Sequence, residues 1–259
     1  MTRARRWWQV VRRVWIGTGL ASLLLMPVYA WWTYQARIDP AVLTSDAQVA
    51  VTRSGSTLRF LPRSPRPGAG LVWVTGCLVP AEAYAPLARA VARGGVPAIV
   101  YQLPWRCTPL PAQPAQVLAD LRALVQAPGS RWVLGGHSKG AVYVSALAAA
   151  PPPTLGGIVV AGTTHPRDVD LSASRLIVAK VVATRDGIAP LTTSNANRGL
   201  LPPGVLWRTA DGGNHSQFGW YGTQLGDGRA TIDRAQQQAI LLDTVLDVLR
   251  RIDAAAGGR

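Results

Sequence analysis

From residue 71 onward, short apolar runs alternate with stretches of helical period, and this alternation constrains the fold more than any other feature. Leu71–Thr75, Val96–Tyr101, Arg131–Leu134, Ile158–Ala161, Leu176–Ala183 and Val205–Thr209 read as short strands rich in Val, Ile and Leu. Pro80–Arg93 sets Tyr84, Leu87, Ala88 and Val91 on one helical face and stops at Gly94-Gly95. Gln113–Gln126 does the same with Val117, Leu118, Leu121 and Leu124. Lys139–Ala149 is a helix halted by Pro151-Pro152-Pro153, and Thr231–Ile252 is a long terminal helix. Strands that are apolar throughout, rather than alternating, are buried on both faces. The pattern therefore predicts an α/β domain over 48–253, with a mostly parallel central sheet and helices on both faces. Ahead of it, Gln48–Arg53 and Thr57–Leu61 flank Ser54-Gly55-Ser56 as a hairpin, and Pro62–Gly70 breaks structure. Residues 35–47 read as a linker and 254–259 as a flexible tail.

The amino-terminal segment is of a different kind. Residues 14–32 carry no charge, and their 19 residues cover about 28 Å as a helix, the thickness of a bilayer's hydrocarbon. Trp7, Trp8 and Trp15 mark one end, and Trp31, Trp32 and Tyr34 the other, as aromatic belts do. Five arginines (3, 5, 6, 12 and 13) precede the span. Residues 14–34 are thus expected to cross the membrane, leaving a basic tail at 1–13 in the cytoplasm and the domain outside. The rival is a signal peptide cleaved after Val28-Tyr29-Ala30, with Pro27 ending the apolar helix. Either way the domain lies outside the cytoplasm, where disulfides persist.

The net charge of +14 comes almost wholly from Arg, with Lys139 and Lys180 the only lysines. Past residue 37 the cations form no Lys/Arg run with interleaved aromatics, and no nucleic-acid motif occurs, so nucleic acid is not an expected partner. Two cysteines and three histidines, without Cys-x-x-Cys or His-x-x-x-His spacing, give no expected metal site.

Chemistry concentrates at Gly136-His137-Ser138-Lys139-Gly140, between a strand and a helix. Gly-x-Ser-x-Gly in that context is a nucleophile elbow: the serine sits in a strained turn, and Gly136 and Gly140 let strand and helix approach. The helix that begins there aims its first N–H groups at a developing oxyanion. A serine needs a base, and the base a carboxylate. His137, inside the elbow, reads as packing. His165 could line the site. His215, in Asp211-Gly212-Gly213-Asn214-His215 after the last strand, is the expected base. Asp186, in Thr184-Arg185-Asp186-Gly187, is the expected acid, with Asp211 in reserve. The oxyanion donors are expected to be the N–H of Lys139 and that of Cys77, with Leu78 next. A thiol nucleophile at Cys77 or Cys107 is the minor alternative.

These residues resemble bacterial α/β-hydrolases of the dienelactone-hydrolase-like kind, often membrane-anchored. The likeness runs from about Leu71 to Gln238 and is carried by Gly76-Cys77-Leu78-Val79-Pro80, Gly135-Gly136-His137-Ser138, Thr184-Arg185-Asp186-Gly187 and Gly212-Gly213-Asn214-His215-Ser216-Gln217-Phe218-Gly219. It continues through Tyr221-Gly222, Gln224, Gly226-Asp227-Gly228 and Ala230-Thr231-Ile232. The resemblance implies the α/β-hydrolase fold and Ser138, Asp186 and His215 as a triad, whose chemistry needs no cofactor. Two departures stand out. Lys139 follows the nucleophile where the group has a small or apolar residue, and Cys77 stands where it has Gly. In this fold Cys107 follows the neighbouring strand, so the implied pairing is a Cys77–Cys107 disulfide that stiffens the oxyanion loop. Only about 14 residues separate the strands ending at 161 and starting at 176, where such proteins insert lids, so a minimal lid and an open site follow. Leu78, Trp105 and His165 are its expected walls. The expected substrate is a small-molecule or lipid-like acyl ester. A cell-envelope acyltransferase and a catalytically silent binding module are the alternatives.

Overall fold

The structure is a computed structural model and describes residues 3–126 and 131–257. Helix α1 (Arg3–Thr33) takes in both the apolar span and most of the basic stretch; residues 1 and 2 lie outside the described residues. Pro27 sits inside α1 without ending it, since a proline removes one ladder hydrogen bond and the remaining ladder carries the helix on to Thr33. By length and composition α1 is able to cross a membrane. Only Thr33 of α1 is buried.

Residues 35–47 are built into the domain rather than strung in front of it. Asp39 caps a 3₁₀ turn at Pro40–Leu43 by accepting from the Ala41 N–H at 2.9 Å. Arg89, buried to 5% exposure, donates to the carbonyls of Val42 (2.8 Å) and Thr44 (2.7 Å) and pairs with Asp46 at 2.6 Å. A buried guanidinium needs partners for its donors, and this segment supplies them.

The sheet contains β1 (Val49–Ser54), β2 (Thr57–Pro62), β3 (Gly70–Val74), β4 (Ala98–Tyr101), β5 (Trp132–His137), β6 (Leu155–Ala161), β7 (Ile177–Ala183) and β8 (Leu206–Ala210). Their order is β1-β2-β4-β3-β5-β6-β7-β8. From β4 to β8 every pairing is parallel, while β2 runs against both β1 and β4. The hairpin joining β1 and β2 turns at Gly55, whose φ of +52° suits a residue without a side chain.

Helices α2 (Ala85–Arg93) and α6 (Arg234–Gly257) cover one face of the sheet, and α3 (Gln113–Leu124) and α4 (Lys139–Ala148) cover the other. The helix expected over Pro80–Arg93 is divided: a 3₁₀ turn at Ala81–Tyr84 precedes α2. Pro86 is the cause, because it lacks the N–H that would continue the ladder back to Glu82. The final helix starts three residues later than expected, and it runs through Gly257 where a tail was read; residues 258–259 lie outside the described residues. A short helix, α5 (Leu191–Ala196), has no apolar period to announce it. Because the strands from β4 onward are parallel, the loops after β3, β4, β5, β6, β7 and β8 gather at one end of the sheet.

Candidate active site

At that end β5 turns sharply into α4. Ser138 occupies the turn with φ +53° and ψ −119°, a left-handed backbone that costs a side-chain-bearing residue energy. The flanking glycines explain how the turn closes. A Cβ on Gly136 would lie 2.7 Å from the Gly140 carbonyl carbon, and one on Gly140 would collide with the carbonyls of Val74 and Thr75. Ser138 stands at the helix N-cap, so the Lys139 N–H, the first of α4, has no ladder partner.

The loop after β8 brings His215 to the same cleft. Its Nδ1 lies 2.9 Å from Oδ2 and 3.1 Å from Oδ1 of Asp186, and both side chains are buried. Asp186 is itself fixed: Oδ1 accepts from the N–H groups of Ile188 at 2.9 Å and Ala189 at 2.6 Å. That leaves the other ring nitrogen of His215 to serve the cleft. No Ser138–His215 hydrogen bond forms among the described residues; such bonds commonly tighten only once substrate is bound. Asp211 does not compete as acid, for it is exposed and accepts from the Thr184 hydroxyl at 3.0 Å.

Behind His215 stands His137, fully buried, its ring centroid 4.6 Å from that of His215. Burial, and secondarily the neighbouring His215, hold the His137 pKa well below the ordinary value, so its ring is neutral. Its Nδ1 shares a 2.8 Å hydrogen bond with the Tyr84 hydroxyl, which also accepts from the Gly76 N–H at 3.0 Å. His137 is therefore a packing residue that links the elbow to the loop after β3.

That loop is pinned on its outer side too. Cys77 and Cys107 are joined as a disulfide, with Cα atoms 4.3 Å apart. Neither cysteine keeps a free thiol, which removes the thiol-nucleophile alternative. The Leu78 N–H donates to the Arg106 carbonyl at 2.7 Å and is spent. The Cys77 N–H has no hydrogen-bond partner among the described residues, so of the two it is the one open to an oxyanion.

The cleft holds about 350 Å³ and is lined by Ser138, Lys139, His165, Arg167, Ile188 and His215, among others. Leu78 and Trp105 do not line it. The bridge and the Leu78–Arg106 bond tie the two loops together, and Trp105, at φ +50°, turns outward to 79% exposure. His165 is held from beneath. Lys180, 1% exposed, donates to the carbonyls of Thr163 and His165. Burial pushes the Lys180 pKa down to about 7, against a smaller upward pull from Asp186. The ammonium of Lys139 lies over the Tyr143 ring, 5.6 Å from its centroid, rather than over the serine.

Asp227, Lys180 and Tyr84 hold places around the cleft that the sequence pattern does not announce. Asp227 carried a signal in Gly226-Asp227-Gly228, whereas Lys180 sits in an apolar strand and Tyr84 in an apolar helical stripe. Among the described residues, no group of three or more His, Cys, Asp or Glu is placed to hold a metal ion.

The model of the alpha/beta hydrolase family matches residues 70–239. No curated protein matches the sequence. Among solved structures, a provisional dienelactone hydrolase from Klebsiella pneumoniae is 17% identical over 74% of this chain and 91% of its own, with a TM-score of 0.52. The esterase domain of a Rhodothermus marinus protein is 15% identical over 73% of this chain and 89% of its own, at 0.53. Est1E from Butyrivibrio proteoclasticus is 11% identical over 79% of this chain and all of its own, at 0.52. At such identities the likeness concerns the fold.

Proposed function

The chain belongs to the alpha/beta hydrolase family, and from that premise we propose that it is a serine hydrolase cleaving an ester or related acyl bond. One observation carries the reading: a buried His215–Asp186 pair opens on the same cleft as a serine held at φ +53°. Ser138 Oγ attacks the acyl carbon while its proton passes to His215 Nε2. Asp186 on Nδ1 keeps the imidazole in the tautomer that can receive it. The N–H groups of Lys139 and Cys77 hold the oxyanion. His215 then gives the proton to the departing alcohol. A water, deprotonated by the same imidazole, attacks the acyl-enzyme and releases the acid. Neutral His137 packs behind His215 without adding a charge that would repel the imidazolium.

The same reading sets α1, through residues 14–34, across a membrane with its arginines on the cytoplasmic side and the catalytic domain outside. The disulfide suits that compartment, and the burial of Thr33 and Tyr34 in the domain favours an anchor that stays attached. A fluorophosphonate probe is expected to label the wild type and not Ser138→Ala. Equal labelling of both would remove Ser138 as nucleophile.

A further inference from the structure

We propose that the carboxyl-end face of the sheet, cleft included, rests on the bilayer that α1 crosses, so that the enzyme takes its acyl esters from the membrane. This rests on the esterase reading and on α1 as a span.

The first support is the way α1 leaves its helix. The Tyr29 hydroxyl accepts from the Leu225 N–H at 2.6 Å. The Thr33 carbonyl accepts from the Gly222 N–H at 2.7 Å, and the Arg37 N–H donates to the Trp220 carbonyl at 2.7 Å. The rings of Tyr34 and Tyr221 stack at 5.9 Å. A side chain on Gly222 would strike Thr33. The helix is thus clamped to the loop after β8, the loop that also carries His215. Tyr29 lies one turn, about 6 Å, deeper along the helix than Thr33. With Trp31 and Trp32 at the outer interface, Leu225 is carried down to the level of the headgroups.

The second support is independent. Outside α1, six large apolar side chains are exposed among the described residues: Leu61, Leu78, Trp105, Leu110, Ile188 and Leu225. All but Leu61 lie on loops following β3, β4, β7 and β8, the end of the sheet where α1 is clamped. Trp105 at 79% and Leu225 at 73% are the most exposed. Ile188 also lines the cleft, which makes the apolar surface continuous with the mouth. Exposed apolar groups gathered on one face mark a surface that meets an apolar partner, and the span attached there identifies that partner as lipid.

The test uses the full chain in phosphatidylcholine vesicles. Single cysteines Leu110→Cys, Leu225→Cys and, at the opposite end of the sheet, Ser64→Cys carry a fluorophore. Lipids bearing a nitroxide on the acyl chain are expected to quench the first two and spare the third. Equal water exposure at all three sites would overturn the proposal. So would shielding of positions 110 and 225 without lipid quenching, since a protein would then cover the face. In a second arm, the double variant Trp105→Ser, Leu110→Ser is expected to hydrolyse a vesicle-embedded long-chain ester about tenfold more slowly, with p-nitrophenyl acetate turnover unchanged. Equal loss on both esters would count against a bilayer-facing role. The depth measurement needs no turnover, so failure of the esterase reading and failure of this one are separable.

Discussion

The backbone N–H of His215 donates to the carboxylate of Asp227 at 3.1 Å. The same carboxylate accepts from the N–H groups of Gly187, Ser216 and Gly228 and from the Ser216 hydroxyl. One carboxylate therefore ties the Asp186-Gly187 loop, which holds the proposed acid, to the His215-Ser216 loop, which holds the proposed base.

Asp227→Ala is expected to strand those donors, lowering stability by about 3 kcal/mol. Turnover should fall by up to about 100-fold through misplacement of His215, with a smaller change in KM. Thermal melts and steady-state kinetics on one preparation check both. Unchanged kcat would mean that the imidazole is positioned without Asp227.

Gly140→Ala is expected to fold poorly. The added methyl would enter space held by the carbonyls of Val74, the last residue of β3, and of Thr75 just after it, and these backbone atoms cannot step aside. Overpacking of this kind costs about 1–3 kcal/mol or more. Thermal denaturation against wild type reads the loss, and a melting temperature equal to wild type would contradict the packing described.

Cys107→Ser opens a bridge that spans 30 positions of sequence. Loop-closure entropy puts the loss at about 3–4 kcal/mol. The variant should also lose kcat more than KM, because the Cys77 N–H is held in place by that bridge. Urea titration and ester kinetics, with and without reductant on the wild type, test the two parts separately.

Lys180 gives a pH dependence with a definite sign. Its folded pKa of about 7 lies below the ordinary 10.5, so between those values the unfolded chain binds the extra proton. Stability from this group rises as pH climbs through that window and is lowest below it. Lys180→Met is expected to flatten the slope of the urea midpoint between about pH 7 and pH 10. An unaltered slope would assign the dependence elsewhere.

The sheet was legible because its strands are apolar on both faces, a pattern that short helices do not share. The Ser138 turn could be read because its two glycines stand where any Cβ would collide. Other features depend on contacts across long stretches of chain. Asp227 meets His215 only after the loop folds back, and Tyr84 reaches Gly76 and His137 from a helical stripe that reads simply as core. Lys180 satisfies carbonyls 15 and 17 residues away, which no local pattern records. The Leu191–Ala196 helix is too short for a period, and the outward turn of Trp105 depends on the loops it joins. The segment at 35–47 read as a linker because nothing in it names Arg89 as its partner.

The Cys77–Cys107 bridge and the Leu78–Arg106 hydrogen bond act side by side on the loop that carries a proposed oxyanion donor. Their consequence concerns when order is imposed. A loop free to move would give up its conformational freedom afresh with each substrate, raising the barrier every time. Here that freedom is surrendered once, when the chain folds and oxidises, and every later encounter finds the donor already in position.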